Sequence, residues 1–187
     1  MALLKRGANV ELTREIPDLR TVVLGVKFGA GSETVLIDNL VVATILCDKS
    51  SKALSDEHFV FFNQLSSPDM SISQLEAALG GDSEQIEVDL HAVPGEVQRI
   101  VVVLYLNEGI AQRRSLGQLR ECSIRVLNLA GEAELVRSEN FAPALTSETA
   151  LALGELYRRQ GGWKFKVMGD AYAKGIAGIA ADYGVAL

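Results

Sequence analysis

The 187-residue sequence predicts a mainly β protein, in which two antiparallel sheets form a sandwich and the few short helices include one at the C-terminus. Three observations predict this fold class. Short runs of apolar and β-branched residues dominate the first two-thirds of the chain. Turn residues separate these runs at the spacing typical of antiparallel sandwiches. Helical spacing of apolar residues is confined to isolated segments. The length of the chain fits a single domain over residues 1–187.

Strands are predicted wherever apolar runs or a two-residue alternation occur. Residues 85–90 alternate most clearly, because Ile86, Val88 and Leu90 are separated by polar residues, as in a strand with one wet face. Residues 100–106 are almost continuously apolar, which indicates a central strand covered on both sides. The predicted strands are residues 21–28, 35–47, 57–62, 85–90, 100–106, 122–129, 133–138, 151–157 and 163–168.

Helical spacing occurs in three segments. Residues 70–79 carry apolar side chains at helical intervals and end at two glycines, and residues 116–121 could form a second short piece. The C-terminal helix is predicted from an apolar stripe whose members should face inward. The stripe consists of Tyr172, Ile176, Ile179 and Tyr183.

Aromatic and cysteine residues mark parts of the expected core. Trp163 and Phe165 are two residues apart in a predicted strand and should therefore share a face. With Tyr157 on the preceding strand, they are expected to form an aromatic cluster in the core. Cys47 and Cys122 lack the spacing of a metal site or redox motif, so each is interpreted as a buried thiol in a reducing compartment.

Composition and charge exclude several classes of function. Hydrophobic residues make up 48% of the chain and charged residues 22%, close to a globular average. A net charge of -6 argues against a nucleic-acid binder, because phosphate contacts require clustered Lys and Arg. The longest apolar run, residues 100–106, is too short to span a membrane, and residues 1–7 lack a secretory apolar stretch. A cytoplasmic protein is therefore expected.

Motifs for catalysis are not found in the sequence. His58 and His91 have no partner at a spacing that acid–base chemistry would use, and no nucleophile elbow or phosphate-binding loop occurs. Gly25, Gly29 and Gly31 do not precede a predicted helix, so they are interpreted as turn glycines rather than as a dinucleotide fingerprint. We therefore expect no enzyme activity, no catalytic residue and no residue that binds an organic cofactor.

Acidic turns offer the one candidate metal site. Asp82 and Glu84 follow two glycines at the entry to a predicted strand, and Asp38, Asn39 and Asp48 lie near the ends of another. Calcium takes six to eight oxygen ligands from such loops, with backbone carbonyls completing the shell. The alternative interpretation, and the more frequent one for such composition, is a solvated acidic turn.

Several motifs occur in an order that resembles the TerD-like family of tellurium-resistance and bacterial stress-response proteins. Together they extend over nearly the whole chain. They are residues 4–13 (LKRGANVELT), 59–69 (FVFFNQLSSPD), 82–86 (DSEQI), 154–158 (GELYR), 163–165 (WKF) and 183–185 (YGV).

This resemblance implies a cytoplasmic β-sandwich that holds calcium between loops and is associated with tellurite and stress resistance. In the family pattern a DLDAS segment supplies calcium ligands. Here Asn39 and Val41 occupy its two acidic positions, and shifting the alignment by one residue brings in only one acid, Asp38. A GDN loop is also missing from the shortened span 71–81.

The predicted metal ligands are therefore Asp82, Glu84, Asn39 and Asp38, and calcium binding is expected to be weak or absent. The expected partners are calcium and other stress-response proteins. The alternative is a protein–protein interaction module that has lost metal binding. A protein stability that depends on calcium would favour the stress-response protein with a weak calcium site. A stability unaffected by calcium, together with a stable protein partner, would favour the interaction module.

Overall fold

A computed structural model describes residues 2–107, 109 and 113–187 and contains two six-stranded sheets. The strands are β1 (Ala2–Leu4), β2 (Asn9–Glu11), β3 (Thr21–Gly29), β4 (Leu40–Cys47), β5 (Phe59–Val60), β6 (Ile72–Gln74), β7 (Glu84–Asp89), β8 (Arg99–Leu106), β9 (Glu121–Asn128), β10 (Glu134–Ser138), β11 (Ala150–Arg159) and β12 (Gly162–Tyr172). The helices are α1 (Thr34–Asp38) and α2 (Ile176–Tyr183), with 3₁₀ turns at Leu116–Gln118, Ala130–Glu132 and Ala142–Ala144.

The first sheet has the strand order β1-β10-β9-β3-β7-β6, and the second has the order β2-β12-β11-β8-β4-β5. At the edge of the first sheet β1 runs parallel to β10, whereas the other pairs between described strands are antiparallel. The predicted fold class, a mainly β sandwich with few helices, is confirmed.

The main core lies between the two sheets. Alternation along β7 places Ile86 and Val88 inward, where they are fully buried together with Leu24 of the neighbouring strand β3. From the second sheet, Val102 and Phe165 enter the same cluster. Burial of this apolar surface is the main stabilising contribution to the fold.

The outer face of the second sheet is covered by α2. Ile176, Ile179 and Tyr183 pack there on a second apolar cluster that includes Ile45 and Val103, so β8 is covered on both faces, as its apolar sequence predicts. The predicted C-terminal helix is confirmed. In the described part of the chain, no helix is long and apolar enough to cross a membrane.

Four predicted elements differ in the structure. Residues 70–79 form no helix, because Ile72 and Gln74 pair with Val88 and Ile86 as the edge strand β6. The predicted strand 35–47 begins with α1, and only its second part, β4, is extended. The predicted strand 57–62 is reduced to β5, and residues 116–121 contain one 3₁₀ turn before β9 begins.

Two aromatic placements also differ from expectation. Tyr172 ends β12 and is not part of α2. Trp163 and Phe165 do share the inner face of β12, as predicted, but Tyr157 pairs with Lys164 and points to the opposite face. There the ring of Tyr157 lies 5.7 Å from Cζ of Arg99 and 5.9 Å from Nζ of Lys164, so it takes no part in the core cluster.

Candidate functional site

The acidic loop before β7 is fixed to the neighbouring strand β3. Gly80 and Gly81 both have positive φ, which glycine adopts without steric cost, and they turn the chain toward Asp82. The backbone N–H of Ser83 then donates to the carbonyl of Val26 at 2.8 Å, and its Oγ accepts from the N–H of Phe28 at 3.1 Å. These bonds hold the loop against the sheet.

Asp82 is neutralised by Arg125 on β9. The guanidinium donates from Nε to Oδ1 at 3.0 Å and from Nη2 to Oδ2 at 2.9 Å, so the pair is bidentate. Gln85 adds a third donor, with Nε2 at 2.8 Å from Oδ2. The side chain of Asp82 is only 4% exposed, and both of its oxygens are already engaged.

Arg125 also reaches Glu134 and thereby links the loop before β7 to strands β9 and β10 of the first sheet. Its Nη1 lies 3.2 Å from Oε1 of Glu134, which in turn accepts from Nε of Arg137 at 3.0 Å. Burial opposes ionisation of Glu134, but hydrogen bonds from Arg137 and Arg125 hold its pKa below the ordinary value. The result is a network of alternating charges on the outer face of this sheet.

Glu84 lies two residues from Asp82 but has a different environment. It is half-buried at the start of β7, and burial raises its pKa, although a hydrogen bond from the side chain of Gln74 opposes the rise. Oε1 of Gln74 is itself buried and has no hydrogen-bond partner in the described part of the chain. Unlike Asp82, Glu84 forms no ion pair among the described residues.

Asp38 and Asn39 lie at the end of α1. Nδ2 of Asn39 donates to the carbonyl of Val35 at 2.9 Å, and the Asn39 carbonyl accepts from the N–H of Asn107 at 3.0 Å. Asp38 is exposed. Val41 packs with the apolar cluster on the outer face of the second sheet.

Within residues 2–107, 109 and 113–187, no hydrogen bond or ion pair joins Asp38 or Asn39 to Asp82 or Glu84. Over the same ranges, no group of three or more His, Cys, Asp or Glu side chains is arranged to hold a metal ion. The structure thus brings Asp82 to Arg125, a residue that sequence reasoning missed, and shows no bond between Glu84 and the Asp38–Asn39 turn within the same ranges. The whole predicted ligand set stays a prediction.

Histidine and cysteine side chains show no arrangement for nucleophilic chemistry in the described part of the chain. Nδ1 of His58 is 2.7 Å from Oγ of Ser55, but the two residues belong to one exposed turn closed by a bond from the His58 N–H to the Ser55 carbonyl. Burial raises the pKa of both Cys47 and Cys122 to about 12, so both thiols stay protonated at neutral pH. They are unpaired and buried, as predicted.

Comparisons with known proteins agree with this fold. The TerD domain model matches residues 1–183. The chain is 35% identical over 186 residues to the tellurium resistance protein TerD of Serratia marcescens, covering 97% of this chain and 96% of the relative. It is 34% identical over 191 residues to general stress protein 16U of Bacillus subtilis, covering 97% of this chain and 96% of the relative.

A solved structure shares the fold. The crystal structure of a homologue of telluride resistance protein TerD from Streptomyces coelicolor superposes with a TM-score of 0.64 at 17% identity, covering 87% of this chain and 95% of the other. At that identity the likeness shows the fold alone. The match of the domain model over residues 1–183, with two relatives above 30% identity, shows that this chain belongs to the TerD family.

Proposed function

We propose that this chain is a non-catalytic stress-response protein, associated with tellurium resistance, whose calcium site is degenerate and binds the ion weakly or not at all. The names of its relatives support the stress role. The observation that carries the calcium part is the bidentate pair between Arg125 and Asp82. An ion at Asp82 would have to displace a guanidinium that already compensates the carboxylate.

Glu84 is a candidate ligand that forms no ion pair in the described part of the chain. Its raised pKa means that burial disfavours the ionised form, and calcium requires that form. Asn39 supplies an amide instead of a carboxylate, and its Nδ2 is bonded to Val35. Fewer charges and fewer oxygen ligands both reduce calcium affinity, which supports a dissociation constant of roughly 10⁻⁴–10⁻³ M at best.

The decisive experiment is a calorimetric calcium titration of protein treated with a chelator. We expect no heat of binding at micromolar calcium and a weak isotherm or none at millimolar calcium. A micromolar dissociation constant would overturn the degenerate site. The stress role is tested separately by disrupting the gene and measuring growth on tellurite, with the wild-type gene returned as the control.

A cytoplasmic location is part of the same proposal. The two thiols are free and buried, which supports a reducing compartment, where disulfides are rare. Fractionation of cells that express the untagged chain tests this directly. Recovery in a secreted or membrane fraction would contradict the proposal.

A second candidate is an interaction module that has lost metal binding. It is favoured by the exposed side chains of Phe62 and Met70, which lie in the loop between the edge strands β5 and β6. Large apolar side chains exposed in one loop supply the kind of surface that a protein partner would cover. This candidate would be favoured by a protein partner that binds the wild type in a fixed stoichiometry, with or without calcium, and does not bind the Phe62→Ser variant.

A further inference from the structure

The outer face of the first sheet carries a cleft of about 330 Å³, here called the outer cleft. Its floor is formed by Val23 of β3 and Leu127 of β9, and its two walls are the loops 75–80 and 129–132. The volume lies at the lower end of the range of small-molecule sites, roughly 300–1,000 Å³. Glu84, Asp38 and Asn39 are not among the residues that line the cleft.

The surfaces of the outer cleft are mainly apolar. Outward positions of a solvent-facing sheet are usually polar, yet Val23 and Leu127 occupy two of them. Leu79 and Leu129 rise from the two walls and are 72% and 45% exposed. With Leu75, five apolar side chains surround one concavity. They favour a ligand with an apolar body, because binding would remove that surface from water.

Both walls are hydrogen-bonded to the sheet, so the cleft is formed before any ligand enters. Gln85 holds the first wall, because its Nε2 donates to the Leu79 carbonyl at 2.9 Å and its Oε1 accepts from the Leu79 N–H at 3.3 Å. The second wall is held by a bond from the Leu129 N–H to the Thr21 carbonyl at 3.0 Å. A preformed site loses less conformational entropy on binding.

The charges around the outer cleft favour a cation. Arg125 lines the cleft, but its charge is compensated by Asp82 and Glu134, so it does not recruit an anion. Glu132 stands at the rim, exposed and held in a left-handed conformation with φ of 55°. Among the described residues no Lys, Arg or His forms an ion pair with Glu132.

We propose that the outer cleft binds a small organic cation, with its apolar body between Val23, Leu127 and the two walls and its charged head against Glu132. The overall charge of -6 also attracts cations to the surface. An anion of the same size would meet Glu132 at the rim and a guanidinium already paired with two carboxylates. This binding is independent of calcium.

The test is an NMR titration of the isotopically labelled full chain with hexylammonium, hexanol and hexanoate, which share one apolar body and differ in charge. We expect saturable shifts of the Val23, Leu127 and Leu129 amides, with affinity decreasing from hexylammonium to hexanol to hexanoate. Shifts that do not saturate or do not include these amides would overturn the proposal. Hexanoate binding as tightly as hexylammonium would also overturn it.

Two variants locate the head and the body of the ligand. Glu132→Gln should weaken hexylammonium by about two- to five-fold, the range of an exposed ion pair, and leave hexanol unchanged. Glu96→Gln, which removes an exposed glutamate elsewhere, should leave the affinity for all three probes unchanged. Leu127→Arg should abolish binding of all three. The site would be refuted if Glu132→Gln kept the full preference for hexylammonium over hexanol. It would also be refuted if Leu127→Arg bound hexylammonium as tightly as the wild type.

Discussion

Asp82 lies directly against the backbone of Gly25, so that a Cβ added at Gly25 would be 2.2 Å from Oδ2 of the carboxylate. Gly25 lies in the interior of β3, within the predicted strand 21–28, so its interpretation as a turn glycine is wrong. Glycine normally weakens a strand at such a position. The missing side chain gives Asp82 the space in which it meets Arg125 and Gln85. The ion pair and the glycine therefore depend on each other.

Gly25→Ala should lower the free energy of unfolding by about 1–3 kcal/mol, the usual cost of inserting a methyl group into a filled site. Asp82 cannot move aside without losing bonds to Arg125 and Gln85. Urea unfolding provides the measurement. Gly95→Ala is the matched control, since an added Cβ there meets nothing within 4 Å. Equal effects of the two variants would show that the contact is unimportant.

The Asp82–Arg125 pair can be measured with a double-mutant cycle. Arg125→Met should cost about 3–5 kcal/mol, because it leaves a buried carboxylate without its partner, and Asp82→Asn should also be destabilising. Once one partner is gone, removal of the other should cost much less, so the double variant should be more stable than the sum predicts. If the effect of the double variant equals the sum of the two single effects to within about 0.5 kcal/mol, the two side chains are not coupled.

The sequence predicted the sandwich because its evidence is local. Alternation in β7 and the apolar run of β8 report which faces are buried, whatever the rest of the chain does. β6 was missed because its apolar spacing fits a helix, and only pairing with β7 makes it a strand. Arg125 was missed for a related reason: it pairs with a carboxylate 43 residues away, and a lone Arg in a strand carries no sign of that.

Trp163→Ala should destabilise the protein by about 3–5 kcal/mol, as is typical when a buried Trp is truncated in a core. The indole is only 4% exposed, and Cζ of Arg158 lies 4.4 Å from the ring centroid. Tyr157→Ala is the comparison, because Tyr157 is half-buried on the outer face and should cost clearly less. The measurement is the free energy of unfolding in urea. Equal losses in the two variants would contradict these placements.

Glu155 should make stability depend on pH. Burial raises its pKa above the unfolded value of about 4.3, although Arg99, with Nη1 2.7 Å from Oε1, opposes the rise. The folded state therefore binds the proton more tightly. The contribution of Glu155 is greatest below the unfolded pKa and is lost as pH rises through the folded pKa.

Relative to Glu155→Gln, the wild type should consequently lose stability as pH rises above the unfolded pKa of about 4.3. Chemical denaturation at several pH values gives the difference between the two proteins. Glu96→Gln, measured in parallel, accounts for the loss of one negative charge from an exposed position. A difference that grows in favour of the wild type over this range would mean that the Arg99 ion pair outweighs burial.

Calcium at a few micromolar should leave the melting temperature unchanged, because a ligand far below its dissociation constant adds almost nothing to stability. At a concentration equal to a dissociation constant of about 10⁻³ M, the gain would be only about 0.4 kcal/mol. Any such gain should disappear in Glu84→Gln, which removes a predicted ligand carboxylate that forms no ion pair among the described residues. In Asp82→Ala it should persist, because Arg125 already compensates Asp82. Micromolar stabilisation that Asp82→Ala abolishes would mean that calcium competes successfully with the guanidinium, and that Asp82 is a metal ligand despite its ion pair.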